Sequence, residues 1–413
     1  MNDNFKLLHL TENPFPQNPT IIIDDVDKKI NGMIHDTKIF EIEHKKFEKL
    51  LEQKTNLIYV CGSQTVRGDG KSAFIAYHYR RIESNSDIIS IFIQCTDRNG
   101  KVNNPDRFCR EFLLKCEKKN YLWRSFSKLL VQFVKDHPSY GYAHSKFITM
   151  FSKFVTPPNQ LPLQRYTKIS NTKDLAKSFR DWLCDKCGCS QNIAQYFSSL
   201  YLEKPQDMQK QLQKSTNKIQ EYDDILKILM FSGFLHVYIF LNQMEDALEN
   251  VSTKITIEFT AGMRRIMEKS NGKATLICTI HPSSLRTILD NPQAKVNITS
   301  LAPMDDNHKI MLFPENITKN SKIVGFISSY LSHFYSSKSV NNEITPFEKH
   351  VLEYTAQLSG GNLRDILRGM YNCINIALDQ KISNIDVNFV KNNHKEIFDK
   401  EFSQEIFDKS KLN

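Results

Sequence analysis

The chain has 413 residues, 40% hydrophobic and 24% charged, the balance of a soluble globular protein with room for one large domain and a smaller one. No apolar run reaches the length of a membrane span, the first ten residues lack a basic flank followed by an apolar core, and nine scattered cysteines make no disulfide framework, so a cytoplasmic protein without a membrane partner is expected. The net charge of +9, spread without a block of like charges, is compatible with a nucleic-acid partner and equally with a lysine-rich protein that has none.

Residues 1–36 read as an N-terminal arm. Asn13-Pro14-Phe15-Pro16 and Asn18-Pro19 hold the backbone extended or turning, Ile21, Ile22 and Ile23 before Asp24-Asp25 suit a short strand or a packed arm, and Asn31-Gly32 marks a turn. Residues 37–103 form the first part of an α/β core. They hold a helix over 37–53 with Phe40, Ile42, Phe47, Leu50 and Leu51 apolar among charges, a buried strand over 56–61, a glycine-containing loop, a helix from about Lys71, and a second buried strand over 88–95. Residues 104–230 are a helical insertion with aromatics at helical spacing (Phe108, Phe112, Tyr121, Trp123, Phe126, Phe133), broken at His137-Pro138 and from Pro157-Pro158 to Pro162. Its stretch 203–222 is polar and suits an exposed helix or a mobile connection. The core resumes over 231–304 with a strand at 237–241, a helix at 255–269, a strand at 274–280 ending on His281-Pro282, and a third short strand at 296–298. Residues 305–400 read as helices throughout, clearest at 347–358 and 363–378, and 401–413 as a tail. This order, with Gly68-Asp69-Gly70-Lys71-Ser72 in the loop between the first strand and its helix, predicts an α/β fold: a P-loop NTPase parallel sheet sandwiched by helices, with a large helical insertion and a C-terminal helical lid.

The central motif is Gly62-Ser63-Gln64-Thr65-Val66-Arg67-Gly68-Asp69-Gly70-Lys71-Ser72. Glycines let the backbone turn its N–H groups around a phosphate, and the helix that follows presents its positive end to the same anion. Lys71 is placed to put a point charge on the β- and γ-phosphates of ATP or ADP, and the Ser72 hydroxyl to ligate Mg²⁺, with Ala73 next in the helix. The usual spacing puts the first glycine where Thr65 stands; the glycines fall at 62 and 68 instead, which predicts a loop about three residues longer than usual. Arg67 and Asp69 lie in the cofactor-binding loop and read as surface residues of it.

A nucleotide-hydrolysing site of this kind needs carboxylates after a second strand, one for Mg²⁺ and one to orient the attacking water. Here the strand 237–241 runs into Asn242-Gln243-Met244-Glu245-Asp246. Asn242 takes the Mg²⁺ position and Gln243 the water-activating position, and an amide brings no charge and no general base. Two readings follow: ATP is bound and turned over slowly or not at all, or Glu245 or Asp246 substitutes one turn further on.

Together these segments resemble AAA+ ATPases of the origin-recognition and replication-initiator branch, and the related STAND-type NTPases, over about residues 20–100 and 225–395. The Asn31-Gly32 turn is similar to the segment over the adenine in that branch. Leu276-Ile277-Cys278-Thr279-Ile280-His281 resembles the sensor-1 strand, with Thr279 and His281 as its polar candidates. Leu301-Ala302-Pro303-Met304-Asp305 resembles the approach to the lid, and Ser359-Gly360-Gly361-Asn362-Leu363-Arg364 the start of the sensor-2 helix. The resemblance implies that Arg364 reaches from the lid to the γ-phosphate. Arg264, Arg265 and Arg286 lie where a finger acting on a neighbouring subunit is sought, and none is singled out. Replication initiators of this type continue into a winged-helix DNA-binding domain for which the residues after Leu378 leave no room, so DNA contact is expected from the ATPase domain itself or from a partner.

Cys184, Cys187 and Cys189 have a spacing that can bind Zn²⁺, but lack a fourth ligand at matching spacing and read as reduced, partly buried thiols. The leading expectation is an ATP-binding switch that controls assembly of a homo-oligomer or with a protein partner. The rivals are an active ATPase that loads or remodels a complex on DNA, and a nucleotide-free scaffold.

Overall fold

Five short apolar segments pair into one parallel sheet in this computed structural model, which describes residues 3–19, 38–62, 68–97, 100–140, 146, 149, 172–202, 217–248, 251–303, 308–318, 322–336, 342–399 and 404–411. The strands are β1 (Leu57–Gly62), β2 (Ile88–Gln94), β3 (His236–Asn242), β4 (Ala274–Ile280) and β5 (Lys309–Leu312), and their lateral order is β2-β3-β4-β1-β5. Parallel neighbours need crossovers rather than tight hairpins, and the crossover helices cover both faces. The first four strands therefore read as near-continuous apolar runs, and β1, β3 and β4 are buried along their whole length.

The helices are, in order, α1 (Glu41–Glu52), α2 (Lys71–Glu83), α3 (Pro105–Lys118), α4 (Tyr121–Asp136), α5 (Thr172–Cys187), α6 (Gln191–Leu202), α7 (Lys218–Phe231), α8 (Met244–Leu248), α9 (Thr253–Ser270), α10 (Pro282–Asp290), α11 (Pro292–Thr299), α12 (Lys322–Leu331), α13 (Lys349–Leu358) and α14 (Leu363–Asp379), followed by short helices over 387–392, 394–398 and 404–411. No helix among the described residues is long and apolar enough to cross a membrane.

Alternation along the strands divides the interior in two. Leu57, Tyr59 and Cys61 of β1, with Val237, Ile239 and Leu241 of β3, enter one core, and Ile58 and Val60, with Tyr238 and Phe240, enter the other. The first core continues into α3, α4, α6 and α7 through Phe108, Phe112, Trp123, Phe126, Phe197 and Tyr222. The helical insertion is thus one wall of the sheet's own core and not an appendage. The second core takes α1, α2, the C-terminal helices and the arm, whose Leu8, Leu10 and Phe15 are buried in it. The arm is tied down by Asn13, whose side chain donates to the Tyr371 carbonyl (3.1 Å) and to Asn375 Oδ1 (3.0 Å).

Two expectations are corrected. Residues 296–298 are not a strand but part of α11: Asn291 caps that helix by accepting from the Ala294 N–H (2.9 Å) and Pro292 starts it, and this signature outweighs the β-branched pair. The stretch from 305 is not wholly helical either. Lys309–Leu312 is the fifth strand, pairing with β1 from Tyr59 to Gly62, and four residues are too few to show a strand period. Asn31-Gly32, Arg67, Pro157, Pro158, Pro162, Met304 and Asp305 lie outside the described residues.

Candidate functional site

The C-terminal end of β1 and the N-terminus of α2 meet at the glycine loop. Gly68 (φ 124°) and Gly70 (φ 87°) hold the left-handed conformations that side chains resist, and Gly70 is the residue on which α2 starts. Lys71, Ser72 and Ala73 form the first turn of α2, which contains no acidic residue, so the positive helix end faces the loop uncancelled from within the helix.

Asp69 is not the surface residue expected. It is 2% exposed, and Lys71, 6% exposed, donates to both its carboxylate oxygens at 2.9 Å. The seat for that carboxylate is Gly62: a Cβ there would stand 1.3 Å from Asp69 Oδ2. The early glycine of the motif therefore serves a close approach by the loop's own acid. Lys71, Asp69 and Glu245 all act electrostatically on the Cys61 thiol, which burial above all pushes up to about 12 and keeps protonated at neutral pH.

A neutral hydrogen-bonded set closes the other side of the site. Asn242 Oδ1 accepts from Ser72 Oγ (3.0 Å) and from Thr279 Oγ1 (3.0 Å), while its amide nitrogen donates to Gln94 Oε1 (2.9 Å). Gln94 in turn donates to Gln243 Oε1, and the Gln243 backbone N–H donates to Thr279 Oγ1 at 2.7 Å. Gln243 sits at φ 57°, a left-handed position uncommon for a residue with a side chain, and the Thr279 contact helps hold it there. Glu245, also buried, lies in the first turn of the short helix α8 just beyond. Of the two sensor candidates, Thr279 joins this set. His281 instead caps α10, its Nδ1 accepting from the Ser283 N–H at 3.3 Å.

The lid reaches the loop through its backbone. The Leu363 N–H donates to the Gly68 carbonyl (3.1 Å), the Leu363 side chain covers Gly70, and Asn362, 4% exposed, packs its amide where a Gly68 side chain would go. Asn362 also caps α14 by accepting from the Arg364 and Asp365 N–H groups. Arg364 is half-buried in the first turn of that helix. Arg264 and Arg286 pair with Glu268 and Asp290 along their own helices.

Gln94 was missed in the sequence, while Asp69 and Asn362 stood inside the loop and lid motifs without the contacts that they make to Lys71 and Gly68. Gln94 had a signal, as the polar residue that ends the apolar run Ile91-Phe92-Ile93. At the insertion cysteines, burial first of all pushes the Cys187 and Cys189 thiols up to about 12. Among the described residues no group of three or more His, Cys, Asp or Glu is placed to hold a metal ion.

No family model and no curated protein matches the chain. Among solved structures it is similar to Cdc6p from Pyrobaculum aerophilum, with 9% identity and a TM-score of 0.46 over 94% of this chain and 72% of the other. It is similar to ORC2 of Aeropyrum pernix, solved as ADPNP–ADP complexes, with 8% identity and a TM-score of 0.48 over 94% and 72%. A third is the Walker-type ATPase PABY2304 of Pyrococcus abyssi, with 13% identity and a TM-score of 0.41 over 83% and 70%.

Proposed function

We propose that this chain binds ATP or ADP with Mg²⁺ between the sheet and the helical lid and uses the nucleotide as a switch for assembly, with another copy of itself or with a protein partner, while hydrolysing it slowly or not at all. The observation that carries the reading is the neutral strand end. Ser72, Asn242, Gln243, Gln94 and Thr279 satisfy one another through hydroxyls and amides, and none of them can take a proton from water at neutral pH. Binding is supported separately by the left-handed glycines, the uncancelled start of α2 and Lys71 beside it.

The residues fit a divalent cation of small radius. Ser72 Oγ and Asn242 Oδ1 are 3.0 Å apart, close to the edge of about 2.9 Å between neighbouring ligands of octahedral Mg²⁺. Bound there with the phosphates, the cation supplies charge neutralisation to their oxygens. Ser72 and Asn242 add oxygen donors but no charge, so the phosphates themselves provide the negative ligands. Thr279 fixes the Asn242 amide, and Arg364 brings a cation from the lid toward the terminal phosphate. Because the lid start is bonded to Gly68, nucleotide at the loop changes what the lid presents to a partner.

A rival, an active ATPase that loads or remodels a complex on DNA, draws support from Glu245, a buried carboxylate at the start of α8. Calorimetric titration of Mg-ATP into the purified chain, beside Lys71→Ala, tests the binding half. The expected result is saturable binding that Lys71→Ala weakens by about a hundredfold. Equal affinity in the two proteins contradicts the assigned role of the loop.

A further inference from the structure

Asp69 has no part in the phosphate chemistry described above, yet it is among the most buried charged groups of the site. Its carboxylate presents two oxygens to the Lys71 ammonium at the mouth of α2, where an anion gains most from the helix end. Phosphate oxygens would make the same contacts. The arrangement is built on both sides: Gly62 provides the space, and Gly68, immediately before Asp69, is bonded to the start of the lid through the Leu363 N–H. The loop's cation is neutralised from within the loop.

We propose that Asp69 is an internal competitor for nucleotide: its carboxylate occupies Lys71 in the resting chain, the β- and γ-phosphates must displace it to bind, and the displacement is felt by the lid through Gly68. The inference rests on the nucleotide-site reading. It makes the chain a low-affinity binder at rest, with a threshold set by one carboxylate. A residue with a structural role alone would weaken ligand binding when removed. A competitor strengthens it.

The test is calorimetric titration of Mg-ATP and Mg-ADP into the full chain, as wild type, Asp69→Asn, Gly62→Ala and Lys71→Ala. Asp69→Asn is expected to bind about tenfold tighter or more, having lost the charge that competes. Gly62→Ala is expected to shift in the same direction, because the added methyl unseats the carboxylate without removing it. This second variant keeps the test open if Asp69→Asn folds poorly with Lys71 left buried and unpaired. Wild-type binding that both variants leave unchanged, or weaken, overturns the competitor while leaving the nucleotide site standing. Absence of binding in all four proteins overturns both.

Discussion

At Asn242 a single oxygen accepts from Ser72 and Thr279 at once, and this geometry asks for an acceptor without asking for charge. A carboxylate could hold the same two donors at the loss of the bond that the Asn242 amide nitrogen donates to Gln94 Oε1, so the amides at 242 and 243 change the chemistry more than the packing. The double substitution Asn242→Asp with Gln243→Glu is therefore predicted to raise phosphate release from Mg-ATP by roughly a hundredfold, the scale of an added general base. An unchanged rate would place the block elsewhere. Histidines give a second prediction at this scale. Burial above all lowers His78 to about 2, with His44 and Arg81 adding to it, and lowers His236 to about 4, with Lys54 adding. Both are neutral in the folded chain, whereas the unfolded chain protonates them below about pH 6.5. Their contribution to stability is full above that pH and is lost as the pH falls toward 4 for His236 and toward 2 for His78. Replacing His236 by Gln should flatten the dependence of unfolding free energy on pH by up to about 1.4 kcal/mol per unit between pH 4 and 6.5, read from urea titrations at stepped pH. Lys71 and Ser72 were legible in the sequence because their motif is local. Gln94 showed only as a polar strand end and not as a member of the site, since its partner Asn242 lies 148 positions away. The buried state of Asp69 was not legible, because a glycine that clears room for a carboxylate looks in sequence like a glycine that bends a loop.

Among elements, the strands with long apolar runs were legible, and so were helices with a sustained apolar period such as α14, whereas the cap and proline that open α11, Asn291 and Pro292, went unread and its end was taken for a strand. β5 escaped because it is four residues long and is specified by pairing with β1, a contact that periodicity does not carry. The insertion was legible as helices but not as to where they pack. Phe126 of α4 is fully buried among Trp123, Phe179, Phe197 and Tyr201 in the core that also holds the β1 and β3 side chains. Phe126→Ala is thus predicted to cost about 3–5 kcal/mol of stability to the sheet and the insertion together, seen as one cooperative transition at a lower midpoint. A separate early transition, with the sheet unaffected, would show instead that the insertion stands alone.

At the scale of the whole molecule, the sheet divides two cores, and the glycine loop lies where β1, α2 and the lid start come together. The insertion belongs to one core, and the arm and lid to the other. A change at Gly68 would meet α14 and the second core through the Leu363 N–H, the route that the proposed switch requires. The overall fold was predictable because strand, loop and helix follow in an order that few architectures satisfy. The link from Gly68 to Leu363 was not, being a backbone bond between distant segments that side-chain identity does not encode. The proposed switch requires that nucleotide be held and not consumed. It is tested by holding the purified chain in saturating Mg-ATP, measuring the bound fraction by equilibrium dialysis, and identifying the nucleotide that it contains. Intact ATP in the bound fraction of the wild type, with little bound by Lys71→Ala, is the predicted result. Bound ADP accompanied by Lys71-dependent phosphate release would contradict it and move catalysis to Glu245 or to another carboxylate at the site.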